Sequence, residues 1–124
     1  MIQQWVDQAV VEFVGQFGIN AQGWAESGCL GLDFEQNGQL HIEQHPAGIM
    51  VLLSQHYPLG DAWLQTASQA CDYQLGIPFP IQVGLKGSTE LVFFCLLEEE
   101  QVTINQLSQL FNTLTQLHIK CRAS

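Results

Sequence analysis

The chain predicts an α+β domain of order α-β-β-β-α-β-β-α, with helices packed on an antiparallel, twisted five-stranded sheet. Three observations carry that expectation. Apolar residues recur at helical spacing near both ends and in the middle; five short segments alternate or run apolar as strands do; and Gly, Pro and Asn-Gly punctuation separates them at hairpin intervals. No linker, repeat or low-complexity tract interrupts the pattern, so a single domain spans residues 1–124. A domain of this length buries roughly two thirds of its unfolded surface, enough for one core without metal or disulfide staples.

Ile2, Trp5, Val6, Ala9, Val10, Phe13, Val14 and Phe17 follow the i, i+3, i+4, i+7 rule, and Gly18 supplies a stop; this is the first helix. Gly23 to Gly28 reads as loop. Leu30, Leu32 and Phe34 then alternate with Gly31, Asp33 and Glu35, giving a strand with one apolar and one wet face. Asn37-Gly38 is a type I′ turn dipeptide, and beyond it Leu40 and Ile42 alternate with His41 and Glu43, which completes a hairpin. After Pro46 and Gly48, the run Ile49 to Leu53 is apolar on both faces, as expected of a strand covered by sheet neighbours and a helix.

A second helix is expected from Gly60-Asp61, with Asp61 as cap, to Gly76, with Pro78 beyond it. Small residues Ala62, Ala67, Ala70 and Cys71 surround Trp63 on this helix, a face that admits another backbone or a partner subunit at close range. Phe79, Ile81, Val83 and Leu85 alternate as a fourth strand, Lys86 to Thr89 makes a turn, and Leu91 to Leu97 is a fifth strand apolar on both faces. Glu98-Glu99-Glu100 closes it as a solvated end. Thr103 with Gln106 is a capping-box pattern ahead of Leu107, Leu110, Phe111, Leu114 and Leu117, the last helix.

Charge excludes whole classes of partner. No Lys or Arg precedes Lys86, whereas Asp7, Glu12, Glu26, Asp33, Glu35, Glu43, Asp61 and Asp72 all do, and the formal net charge is -9. Binding to nucleic acid or to an anionic leaflet takes Lys and Arg, so both drop out. A hydrophobic fraction of 47% also excludes the composition of a disordered chain. Without a basic n-region or a membrane-length apolar run, the expected setting is the cytoplasm.

The search for chemistry returns little. Cys29, Cys71, Cys95 and Cys121 fall in four different elements with no C-x-x-C pair, and are expected to be reduced, packed thiols. His41, Glu43 and His45 share an outward strand face, but no fourth ligand accompanies them and no metal is expected. His56 and His118 stand alone in sequence. Neither a G-x-S-x-G elbow, a phosphate loop nor a dinucleotide fingerprint occurs, so no cofactor and no catalytic residue is assigned. A small enzyme with a Cys/His site assembled in space remains an alternative at this stage.

The segment Leu40 to Leu53, with Leu-x-x-Glu-Gln-His at its start, resembles the second and third strands of class I type III secretion chaperones. The amphipathic first helix, the strand Thr89 to Leu97 followed by Glu98 and Glu99, and the Leu-rich last helix extend the resemblance over almost the whole chain. It implies a dimeric, non-enzymatic chaperone that holds the N-terminal, non-globular segment of a secreted effector or YopN-like gatekeeper protein in a secretion-competent state. The client-binding residues expected on that basis are Val11, Val14, Leu30, Leu32, Phe34, Leu40 and Ile42. The resemblance places the dimer interface at Trp63, Ala67, Ala70, Phe79, Ile81 and Val83, and implies a heterodimer with a YscB-like small chaperone, with a homodimer as the other possibility. A regulatory adaptor of the secretion apparatus without a secreted client is the alternative of the same fold.

Overall fold

The computed structural model describes residues 4–34, 38–57, 60–72, 79–87 and 89–123, and its elements follow the expected order with two short additions. Helix α1 spans Gln4–Gly15, and Val6, Val10, Phe13 and Val14 are its buried stripe. The segment expected to be loop instead holds a four-residue helix, α2 (Trp24–Ser27). Trp24 is buried against the core, Gly28 N–H closes on the Trp24 carbonyl at 3.0 Å, and the Ser27 hydroxyl donates to the same oxygen at 3.0 Å. One turn is too short to show a period in sequence.

Strands β1 (Cys29–Phe34), β2 (Gly38–His45) and β3 (Gly48–His56) form an antiparallel meander. In it Leu30 faces Ile42, Leu32 faces Leu40, and Ile42 faces Val51. Asn37 lies outside the described residues, but Gly38 has φ 97, and a Cβ there would run into the Ser54 carbonyl, so only glycine fits. A Cβ at Gly48 would likewise meet the Leu97 carbonyl, which lets the β2–β3 turn lie against the end of the neighbouring strand.

Helix α3 (Gly60–Asp72) leads to β4 (Gln82–Lys86) and β5 (Glu90–Glu98). The expected helix end at Gly76 and Pro78, the Ser88 turn position, and the side chains of Asp61, Ala62, Ala70 and Cys71 lie outside what is described. The strand order is β1-β2-β3-β5-β4. Because β3 and β4 both run antiparallel to β5, they are parallel to one another, and α3 is their crossover. The fourth strand is shorter than its alternation suggests. Phe79 and Ile81 are buried but precede it, since Pro80 between them has no N–H to give to a ladder.

A 3-10 turn (Glu99–Gln101) joins β5 to α4 (Ile104–Ala123). The acidic triplet is therefore a capped turn: Glu98 N–H donates to Gln101 Oε1 at 3.1 Å, and the Glu98 side chain accepts from the Gln101 backbone. Thr103 Oγ1 accepts from Gln106 N–H at 3.1 Å, the expected cap of α4.

The helices contact one face of the sheet. Leu40, Ile42, Ile49, Val51, Leu53, Leu91, Phe93, Cys95 and Leu97 point into that core with Val10, Phe13, Leu107, Leu110 and Leu114 from the helices. Each fully buried Leu, Ile or Phe contributes roughly 1.5–3 kcal/mol by leaving water. The other face is not sheathed among the described residues. Met50, Leu52, Phe94 and Leu96 are only half-buried there, so the second apolar face of β3 and β5 does not meet the helix cover that their composition suggests.

Candidate functional site

Among the described residues, two apolar surfaces survive packing. The first lies at β1, an edge of the sheet, where α1 and α4 end their cover. Phe17 past α1, Phe34 at the end of β1 and Phe111 in α4 form a triangle with centroid separations of 5.0, 5.3 and 5.5 Å, and Phe13 lies beneath at 5.4 Å from Phe17. Mostly edge-to-face contacts make this cluster rigid. Phe17 is 37% exposed, while Phe34 and Phe111 are half-buried. Beside it, β1 offers one row of backbone groups without a strand partner among the described residues.

The expected client-binding residues divide sharply here. Val11, Leu30 and Phe34 are half-buried and reach the surface; Val14, Leu40 and Ile42 have 0% exposure and Leu32 6%, so these four form the wall behind it. Alternation assigns all the strand residues to one face. It does not say how far a helix extends over that face. Phe17 and Phe111 were absent from the expected set, and the signal for them was a lone aromatic at the helix stop and another on the edge of the α4 stripe.

The second surface is the uncovered sheet face. A depression of about 330 Å³ is lined by Met50, Pro80, Gln82, Phe94, Leu96 and Glu98, and a smaller one of about 150 Å³ by His41, Glu43, Leu52, Ser54, Lys86 and Val92. Its sequence signal was the doubly apolar runs of β3 and β5.

At the opposite edge, β4 packs with α3. Of the residues expected at a subunit interface, Ala67 has 0% exposure, Phe79 7% and Ile81 8%, while Trp63 and Val83 are half-buried. The Ala70 side chain lies outside the described side chains.

Among the described residues, no group of three His, Cys, Asp or Glu is placed to hold a metal ion, and no helix is long and apolar enough to cross a membrane. Cys95 and Cys121 are buried free thiols, with burial pushing the Cys95 thiol up to about 11, far from the reactive thiolate. Cys29 differs from expectation. It is exposed, because it starts an edge strand on the uncovered face. His118, solitary in sequence, is fully buried and bonded through both ring nitrogens to Tyr57 and Leu53.

Residues 5–121 match the family model for the type III secretory system chaperone SycN. The chain belongs to that family. The SycN chaperone proteins of Yersinia enterocolitica and Yersinia pseudotuberculosis are each 26% identical to it over 116 residues, covering 91% of this chain and 93% of theirs. In fold it is similar to a chain of the heterodimeric ExoU–SpcU complex from the type III secretion system of Pseudomonas aeruginosa, with TM-score 0.67, 14% identity, and coverage of 90% and 93%. It is also similar to a chain of the Yersinia pestis chaperone SycH in complex with a stable fragment of YscM2, with TM-score 0.65, 14% identity, and coverage of 92% and 98%. This SycN-family protein is thus a type III secretion chaperone with the antiparallel five-stranded fold of its relatives, and those relatives are named as chaperones rather than enzymes.

Proposed function

We propose that this chaperone works in the bacterial cytoplasm as one half of a dimer that holds the N-terminal, non-globular segment of a secreted effector or YopN-like gatekeeper protein. The observation that carries this reading is the half-exposed Phe17–Phe34–Phe111 cluster beside the unpaired edge of β1. A client strand laid along β1 gains main-chain hydrogen bonds, and its alternate apolar side chains meet Leu30, Phe34 and the cluster. Val11 on α1 is a further half-buried apolar residue and is included in the proposed client surface. The net charge of -9 keeps a protein with such a surface dispersed and favours a client segment that is not itself strongly acidic. The dimer is read at the α3–β4 edge through Trp63 and Val83, with a YscB-like small chaperone as partner, and with Ala67, Phe79 and Ile81 supporting that face from within the protomer.

Phe34→Asp tests the client site. A carboxylate in the aromatic cluster should weaken capture of the effector's N-terminal segment at least ten-fold while the thermal unfolding midpoint falls only modestly, because Phe34 is half-exposed. Undiminished binding would remove the β1 edge from the client path.

A further inference from the structure

The centre formed by Tyr57 and His118 belongs to neither surface. The His118 Nε2 lies 3.0 Å from the Leu53 carbonyl oxygen and its Nδ1 lies 2.9 Å from the Tyr57 hydroxyl. A carbonyl only accepts, so Nε2 carries the proton and Nδ1 is left to accept from Tyr57, which defines a neutral ring of one tautomer. These bonds tie α4 to β3 and to the residue that follows it. Arg122, about one turn further along α4, closes the same junction. Its Nη2 donates to the His56 carbonyl at 2.7 Å, its Nε donates to Gln55 Oε1 at 3.0 Å, and its guanidinium carbon lies 3.9 Å from the Tyr57 ring centroid. Tyr57 in turn meets Trp63 of α3 edge-on at 5.4 Å.

We propose that His118, Tyr57 and Arg122 form an acid-sensitive latch holding the last turns of α4 against the β3–α3 junction. A proton on Nδ1 removes the ring acceptor of the Tyr57 hydroxyl and places a cation that no carboxylate among the described side chains faces. The groups facing the ring are Tyr57 and the Leu53 carbonyl from the β3 side, the Phe93 ring of β5 at 4.7 Å, Trp63 of α3 beyond Tyr57, and Cys121 and Arg122 of α4. Burial pushes both the Tyr57 phenol and the Cys121 thiol up, so each stays neutral, and Arg122 repels. Turning the Tyr57 hydroxyl toward the His118 carbonyl, at 3.4 Å, would accommodate the new N–H but leave the charge buried.

Burial, reinforced by the Arg122 charge and opposed by the Leu53 bond, holds His118 down at about 4, against 6.5 for a free imidazole. A depressed histidine takes up its proton on opening. The closed latch is therefore at full strength above pH 6.5 and weakens as pH falls toward 4.

Amide hydrogen exchange of the intact chain, corrected for the intrinsic pH dependence of exchange, reads the latch directly. Protection at residues 118–123 should fall about twenty-fold between pH 7 and pH 5, while amides 107–111 hold theirs, and in His118→Gln the fall should vanish. Tyr57→Phe keeps the ring and removes only the hydroxyl; it should raise opening at pH 7 and shrink the acid-dependent fall. Imidazole nitrogen shifts of the unmodified chain give a reading that needs no variant, and at about pH 5.5 they should report His118 neutral with the proton on Nε2. An imidazolium at that pH, protection that ignores pH, or an equal fall in His118→Gln, which would assign the effect to carboxylates, would each overturn the latch.

Discussion

Leu32 and Phe34 stand two positions apart on the same face of β1 and meet different surroundings. Leu32 is 6% exposed against Leu40, whereas Phe34 stands half-open at the aromatic cluster. Leu32→Asp should therefore cost several kcal/mol by burying an unpaired carboxylate, and the thermal midpoint followed by circular dichroism should drop by on the order of 10 °C or more. A midpoint within a degree or two of the unmodified chain would mean that the face is open at Leu32 as well. The alternation of Leu30, Leu32 and Phe34 predicts their shared orientation and cannot separate their exposure. That separation comes from how far the cover of α1 and α4 reaches over β1, with Phe17 and Phe111 at its margin beside Phe34.

At the scale of elements, signals with a local physical cause were the legible ones. The cap of α4 is set by Thr103 and Gln106, three residues apart, and the bond is present at 3.1 Å. Thr103→Ala should lower stability by about 1 kcal/mol and the thermal midpoint by about 4 °C, without altering client binding. No change in midpoint would mean that the first turn of α4 is satisfied without the hydroxyl. Elements shaped by neighbours were less legible. Helix α2 exists because Trp24 is drawn into the core, and β4 begins late because Pro80 breaks the ladder before Gln82. The doubly apolar runs of β3 and β5 are a further case: hydrophobicity indicates burial but not whether a helix, a client or a subunit supplies it.

For the whole molecule, the consequential feature is an acidic chain whose sheet has two edges and one uncovered face. The proposed pairing through α3 and β4 can be tested at Val83, which is half-buried on the edge strand. In Val83→Lys the aliphatic stem can still lie on the protomer while its ammonium is forced into the interface. Light scattering should show the mass of the dimer halved, with the far-ultraviolet dichroism unchanged; a dimer of full mass would take β4 out of the interface. By itself the sequence determined the order of the main elements, the inward set of β1 and β2, the acidic character and the chaperone resemblance, because these follow from period, turn chemistry and composition within short windows. Tertiary structure decided which apolar residues remain open, that β1 and β4 are the edges, and that His118 is a buried, hydrogen-bonded partner of Tyr57 and not a surface ring. Those depend on contacts between residues far apart in sequence, such as His118 with Leu53 and Phe17 with Phe111, which no local pattern encodes.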